Sequence, residues 1–150
     1  MATTTATLTL SSADLTGDTL SLSTTATLTK AGSGTGLEET TGVSRKTFNS
    51  AVLISAPHVL VDASDYTTPI AAKVYIKNLS TTNAEYVSVY TKGKPDGWVE
   101  GEDLETMVLG RMYAGDWAFL PWDGANNILI TTSSANMTVE YMVIYETLTV

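Results

Sequence analysis

In "TLSLSTTATLTK", residues 19–30, the apolar groups Leu20, Leu22, Ala26 and Leu28 all sit at even positions, and every odd position from Thr19 to Thr29 is Ser or Thr. A period of two sends the apolar groups to one face of a strand and the hydroxyls to the other. Short runs of alternating or β-branched character recur along the chain, divided by clusters of Gly, Asn, Asp, Ser and Pro. They predict strands over 5–10, 19–29, 49–55, 59–62, 71–78, 86–91, 107–111, 116–121, 127–132 and 138–149. No window holds a helical period, and only residues 101–106 have the makings of a helical turn. The expected fold is an all-β antiparallel sandwich, jelly-roll-like in topology.

Two stretches sharpen this expectation. In "AAKVYIKNLSTTNAEYVSVYTK" Val74 and Ile76 alternate with Lys73, Tyr75 and Lys77, and Val87 and Val89 alternate with Tyr86, Ser88 and Tyr90, across the polar loop 78–85. That pattern predicts a hairpin. In "TVEYMVIYETLTV" Val139, Tyr141, Val143 and Tyr145 face one way and Glu140, Met142, Ile144 and Glu146 the other. Large apolar groups on both faces predict a central strand with one side in the core and part of the other covered by a neighbour.

Residues 30–47, "KAGSGTGLEETTGVSRKT", interrupt the alternation with four glycines and read as a long loop or arm. The chain therefore divides into Thr-rich strands plus a Gly-rich arm over 1–47, packed on the body or on a neighbouring subunit, and a sandwich body over 48–150.

Composition narrows the chemistry. There is no cysteine, which removes disulfides, thiolate catalysis and Cys-ligated metals. Eight basic residues against sixteen acidic ones give a formal charge of −8, so an anionic polymer is repelled and nucleic acid is not an expected partner. The start carries neither a basic region nor an apolar stretch, and the longest apolar runs, such as 51–54 and 142–145, fall far short of the ~20 residues of a membrane helix. A soluble product made in a cytoplasm is expected, with no membrane partner.

Each candidate for catalysis has a plainer explanation. His58 is the only imidazole, and no Gly-x-Ser-x-Gly elbow accompanies it, so a strand-entrance role is preferred to a triad. Glu100, Glu102, Asp103 and Glu105 cluster in sequence, but glycoside chemistry needs two carboxyls held across a cleft, and the run reads as a solvated loop or weak cation site. "GSGTG", residues 32–36, precedes no apolar helical face, so it lacks the helix N-terminus of a phosphate cradle. The expectation is a non-enzyme with no cofactor and no metal. Aromatic groups are denser: Trp98, Tyr113, Trp117, Phe119 and Trp122 read as core or subunit-interface anchors ahead of a sugar-stacking platform. The sequons at Asn78 and Asn136 read as accidental.

The N-terminal "TLTLSSADLTGDTLSLSTTATLTKAGSGTGLEETTGVSRKTF", the middle "KVYIKNLS" and the C-terminal "GRMYAGDWAFLPWDG" with "MTVEYMVIYE" together resemble small virion structural proteins of tailed bacteriophages, especially those of marine cyanobacteria. The resemblance implies a structural role, as capsid decoration or fibre-like, and offers no catalytic residues to carry over. The preferred expectation is a capsid decoration or cement protein on the head exterior, with the major capsid protein or other virion proteins as partners and a homo-oligomer, for instance a trimer, as its state.

On this reading the uncharged Ser/Thr face lies against another chain, where hydroxyls bond without the cost of burying ions. The bland alternative is a solvated Thr-rich face. The contact candidates are Leu20, Leu22, Thr25, Thr27, Thr29, the basic pair Arg45 and Lys46, and Trp98, Tyr113, Trp117 and Trp122. The rival functions are a tail or neck fibre module that binds host glycan and, behind it, a polysaccharide hydrolase.

Overall fold

The structure, a computed structural model, describes residues 4–13, 20–29, 37, 39–53, 55–66, 70–90 and 108–147. Among these residues the chain is all-β, with eleven strands and one short 3-10 turn at Ala63–Asp65. The strands are β1 (Thr5–Ser12), β2 (Leu20–Thr27), β3 (Glu39–Thr40), β4 (Ser44–Phe48), β5 (His58–Val61) and β6 (Ile70–Asn78), followed by β7 (Tyr86–Tyr90), β8 (Val108–Tyr113), β9 (Trp117–Trp122), β10 (Ile128–Thr132) and β11 (Met137–Thr147).

They form three antiparallel sheets. One runs β5-β10-β7-β8; a second runs β3-β11-β6-β9, with β4 also on β11; among the described residues β1 and β2 pair with each other alone. Strands β4 to β11 are nested: β4 pairs with β11, β5 with β10, β6 with β9 and β7 with β8.

The two larger sheets close on one core, to which every strand from β4 to β11 contributes: Phe48, Val61, Val74 and Ile76, Val87 and Val89, Met112, Trp122, Ile128 and Ile130, and Val139 and Val143. Period-two alternation accounts for it. Along β6, Ala72, Val74, Ile76 and Asn78 are buried, while Lys73, Tyr75 and Lys77 are partly exposed.

Two expectations are corrected. The stretch 71–91 is not a hairpin: β6 lies between β11 and β9, β7 lies between β10 and β8, and residues 79–85 cross from one sheet to the other. Both strands show Val and Ile to the core, so their alternation fits facing sheets as well as one sheet. The crossing is held by polar groups. Asn78 is fully buried; its Nδ2 donates to the Met112 carbonyl at 3.1 Å, and its Oδ1 accepts from the Ser80 amide at 2.9 Å. Glu85 accepts from the hydroxyls of Ser80 and Ser134, and those hydrogen bonds, Ser134 first, hold its carboxyl below the usual glutamate range. A buried Asn78 amide that donates twice is no glycan acceptor.

The second correction concerns the strand expected over 49–55. Residues 49–53 are not strand, whereas 44–47, expected in the loop or arm, join Phe48 in β4 and deliver its ring to the core. In "SRKTF" only Phe48 is apolar, and the ladder to β11 supplies what the pattern lacks. β3 and β4 are one edge interrupted at Thr41–Val43, where the register on β11 slips by one residue and Gly42 takes φ +71°, a left-handed conformation natural to glycine.

Asn78→Ala removes the partners of the buried Met112 carbonyl and the part-buried Ser80 amide, and it is expected to lower the unfolding free energy by about 1–3 kcal/mol. Thr25→Ala on the exposed β2 changes it by no more than about 0.5 kcal/mol. Urea unfolding midpoints of the two variants check the contrast.

Candidate functional site

The β1–β2 ribbon separates its two chemistries by register. Thr5, Thr7, Thr9 and Ser11 lie opposite Thr27, Thr25, Ser23 and Ser21, so one face is a ladder of hydroxyls. The Thr7 and Thr25 hydroxyls meet at 2.8 Å and those of Thr9 and Ser23 at 3.4 Å. Cross-strand Thr pairing of this kind supports a ribbon without charges. The other face pairs Ala6 with Ala26, Leu8 with Thr24, Leu10 with Leu22 and Ser12 with Leu20.

Only the ribbon's base is seated on the sandwich. The Leu28 amide donates to the Thr4 carbonyl at 2.8 Å, the Leu37 amide to the Leu28 carbonyl at 2.9 Å, and the Thr4 hydroxyl to the Leu37 carbonyl at 2.6 Å. Leu28 and Leu37 are buried with Ile144, and Ala6, Ala71, Phe119 and Met142 pack around them. The face of β11 that carries Met142 and Ile144 is thus covered by the N-terminal segment, as its apolar pattern predicts. Burying each leucine contributes roughly 1.5–3 kcal/mol to this seat.

Beyond the seat the ribbon's leucines Leu10 and Leu22 are half exposed, each at 44%. Between the ribbon and β9 runs a groove of about 510 Å³, lined chiefly by Ala6, Leu8, Ala26, Leu28, Trp117 and Phe119. Trp117 is 54% exposed. No ionisable side chain lies among residues 4–12 or 20–29, so these residues offer a partner apolar contact and hydroxyl bonds rather than charge.

The remaining contact candidates scatter. Thr25 and Thr27 are exposed on the hydroxyl face, and Thr29 is half-buried beside the seat. Arg45 and Lys46 do not act as a pair, because adjacent strand residues point to opposite faces. The Arg45 guanidinium is engaged by Glu140, with Nε to Oε2 at 2.8 Å. Tyr113 is exposed and tilts against Tyr86 at 5.7 Å.

Trp122 is a core residue, not a surface anchor. Ala118, Leu120 and Trp122 alternate inward on β9, and the Trp122 indole N–H is satisfied by the Asn126 carbonyl at 2.7 Å. Tyr66 stands edge-on to both Trp122 and Tyr145 at 5.1 Å, and burial, its largest influence, pushes its phenol up to about 12. Trp98, the carboxylate run 100–105 and the glycines 32–36 lie outside the described residues.

A second hollow, of about 380 Å³, opens on the outer face of the β5-β10-β7-β8 sheet, lined by Tyr86, Ser88, Tyr90, Arg111 and Thr131 among others. The Arg111 guanidinium lies 4.7 Å over the Tyr86 ring, and the Tyr90 and Thr131 hydroxyls meet at 3.3 Å. Among the described residues no three His, Asp or Glu side chains converge to hold a metal ion, and no helix is long and apolar enough to cross a membrane. No protein-family model, curated protein or solved structure matches the chain.

His58 meets the Phe48 ring edge-on at 5.0 Å, and partial burial, aided by the Lys46 charge, lowers its pKa. A lowered imidazole value means the folded chain binds fewer protons than the unfolded one between that value and about 6.5. Any stability His58 confers is therefore complete above about pH 6.5 and lost as pH falls through the folded value. An NMR titration is expected to place the His58 midpoint below about 6.5, and Lys46→Ala to move it upward.

Proposed function

We propose that this chain is a non-enzymatic structural protein of a bacteriophage virion, one that decorates or cements the outer surface of the head through the major capsid protein. The observation that carries this reading is the β1–β2 ribbon, an uncharged, half-unburied arm seated on a closed sandwich. An arm with an apolar face serves assembly, since such a face in water is a liability until another surface covers it. We read the nested pairing of β4 to β11 as a jelly-roll wrap, an architecture that recurs in viral capsid proteins and lectins, which is fold-level analogy only. The sequence resemblance to phage virion proteins points the same way.

The mechanism is geometric. A rigid sandwich spans neighbouring capsid subunits, and repeated weak contacts sum by multivalency to oppose expansion of the head. The net charge of −8 keeps the decorated surface away from nucleic acid and from other particles. The hollow around Tyr86, Tyr90 and Arg111 favours the second reading, a fibre module for host glycan, because it combines aromatic rings with clustered hydroxyls.

Immunogold electron microscopy of intact virions, with antibody to the recombinant chain, separates these readings. Label spread evenly over the head is expected. Label confined to tail or neck moves the assignment to the fibre module, and a glycan array with Tyr86→Ala then tests the hollow. Unlabelled virions overturn both.

A further inference from the structure

We infer that the groove between the ribbon and β9 is filled by the Leu10–Leu22 end of the ribbon from a second copy of this chain, giving a head-to-tail homo-oligomer. The inference deepens the assembly role proposed above and rests on the ribbon being an assembly arm.

Knob and hole are both on one molecule. Leu10 and Leu22 lie opposite one another and half exposed on the ribbon's apolar face, and the groove with Trp117 and Phe119 opens lower down beside the same face. The chain cannot fill its own groove with these leucines, because they sit farther out on the straight ladder that forms one of its walls. A second copy supplies them without any change of fold.

Charge favours the same occupant. At −8 a second copy is repelled over most approaches. The described residues of the ribbon and the groove wall Trp117–Phe119 carry no ionisable side chain, so across those residues two acidic copies meet without opposing charges. Hydroxyls that donate and accept also match a copy of themselves.

Area then disfavours the simplest symmetric pairing. Two strands of eight residues cover roughly 26 Å by 10 Å, a footprint of roughly 250 Å² per face at ordinary strand spacings. A stable interface takes about 800 Å² from each partner. Ribbon against ribbon alone falls well short; a ribbon laid into its neighbour's groove buries no larger a face of itself, but in a closed ring each copy gives one ribbon and receives another, which doubles the area buried per copy. Such a contact uses different patches on the two copies, so it repeats until a ring closes.

The absence of cysteine gives a direct test. The full chain, purified without other virion proteins, is examined by light scattering behind size exclusion and by disulfide cross-linking of single-cysteine variants. The wild type is expected to form an oligomer stable to 0.5 M salt, and Leu10→Asp/Leu22→Asp to weaken association by at least about 100-fold with unchanged circular dichroism and an unfolding midpoint that no longer depends on protein concentration. Leu22→Cys mixed with Trp117→Cys is expected to cross-link between chains far more than either alone. A wild type monomeric at tens of micromolar overturns the inference, as does an oligomer that survives both Asp substitutions. Cross-linking of Leu22→Cys alone as efficient as the mixture overturns it too, in favour of ribbons face to face. A monomer that still labels heads leaves the virion role standing while this contact falls; an oligomer on unlabelled virions does the reverse.

Discussion

β11 has one face in the core and part of the other, at Met142 and Ile144, covered by the N-terminal segment, and the rest of the molecule is arranged around that constraint. Its eleven residues pair with β4 and β3 along one edge and β6 along the other. Val139 and Val143 enter the sandwich core, while Ile144 and Met142 on the opposite face receive Leu28 and Leu37. A strand with two apolar faces is soluble only if both are covered. One covering is the opposite sheet; the other is the N-terminal segment, and the ribbon exists as an ordered appendage because that second face needed a lid.

The lid is small, and this decides what the ribbon can be. Three hydrogen bonds among Thr4, Leu28 and Leu37, plus two buried leucines, fix the base. Outward from there a two-stranded ribbon is marginal by itself in water. The hydroxyl ladder of Thr7–Thr25 and Thr9–Ser23 stiffens it at no cost in buried charge. Rigidity at the base and an uncovered apolar face toward the tip are what an arm needs in order to bind without first paying for ordering.

What could be read from the sequence depended on whether local pattern determined the outcome. β2, β6, β9 and β11 announce themselves by alternation, and the two-faced character of β11 was legible because Met142 and Ile144 oppose Val139 and Val143. β4 was not legible, since "SRKTF" has one apolar residue and owes its conformation to its neighbour. The supposed hairpin at 71–91 failed for a different reason. Alternation fixes which side chains point inward but not which sheet a strand joins, and the crossing is specified by Asn78, whose partners Met112 and Ser80 are set by the tertiary fold. The eight-residue polar stretch 78–85 was the available signal, being longer than the usual hairpin loop.

Among the contact candidates the same distinction holds. Trp117 and Trp122 are five residues apart on one strand, and period two puts them on opposite faces. Composition alone ranked the two indoles together; parity separates them. Trp122 closes the core with its N–H bonded to Asn126, whereas Trp117 stands at the mouth of the groove. The uncharged face has a related explanation. Ionic side chains on the ribbon would have solubilised an isolated hairpin, yet they would also have opposed a second acidic copy and imposed a desolvation cost on any contact. Serine and threonine satisfy one another across the ladder, so the ribbon needs no ionic groups to hold its two strands together, and their hydroxyls would be able to exchange partners if the proposed assembly forms.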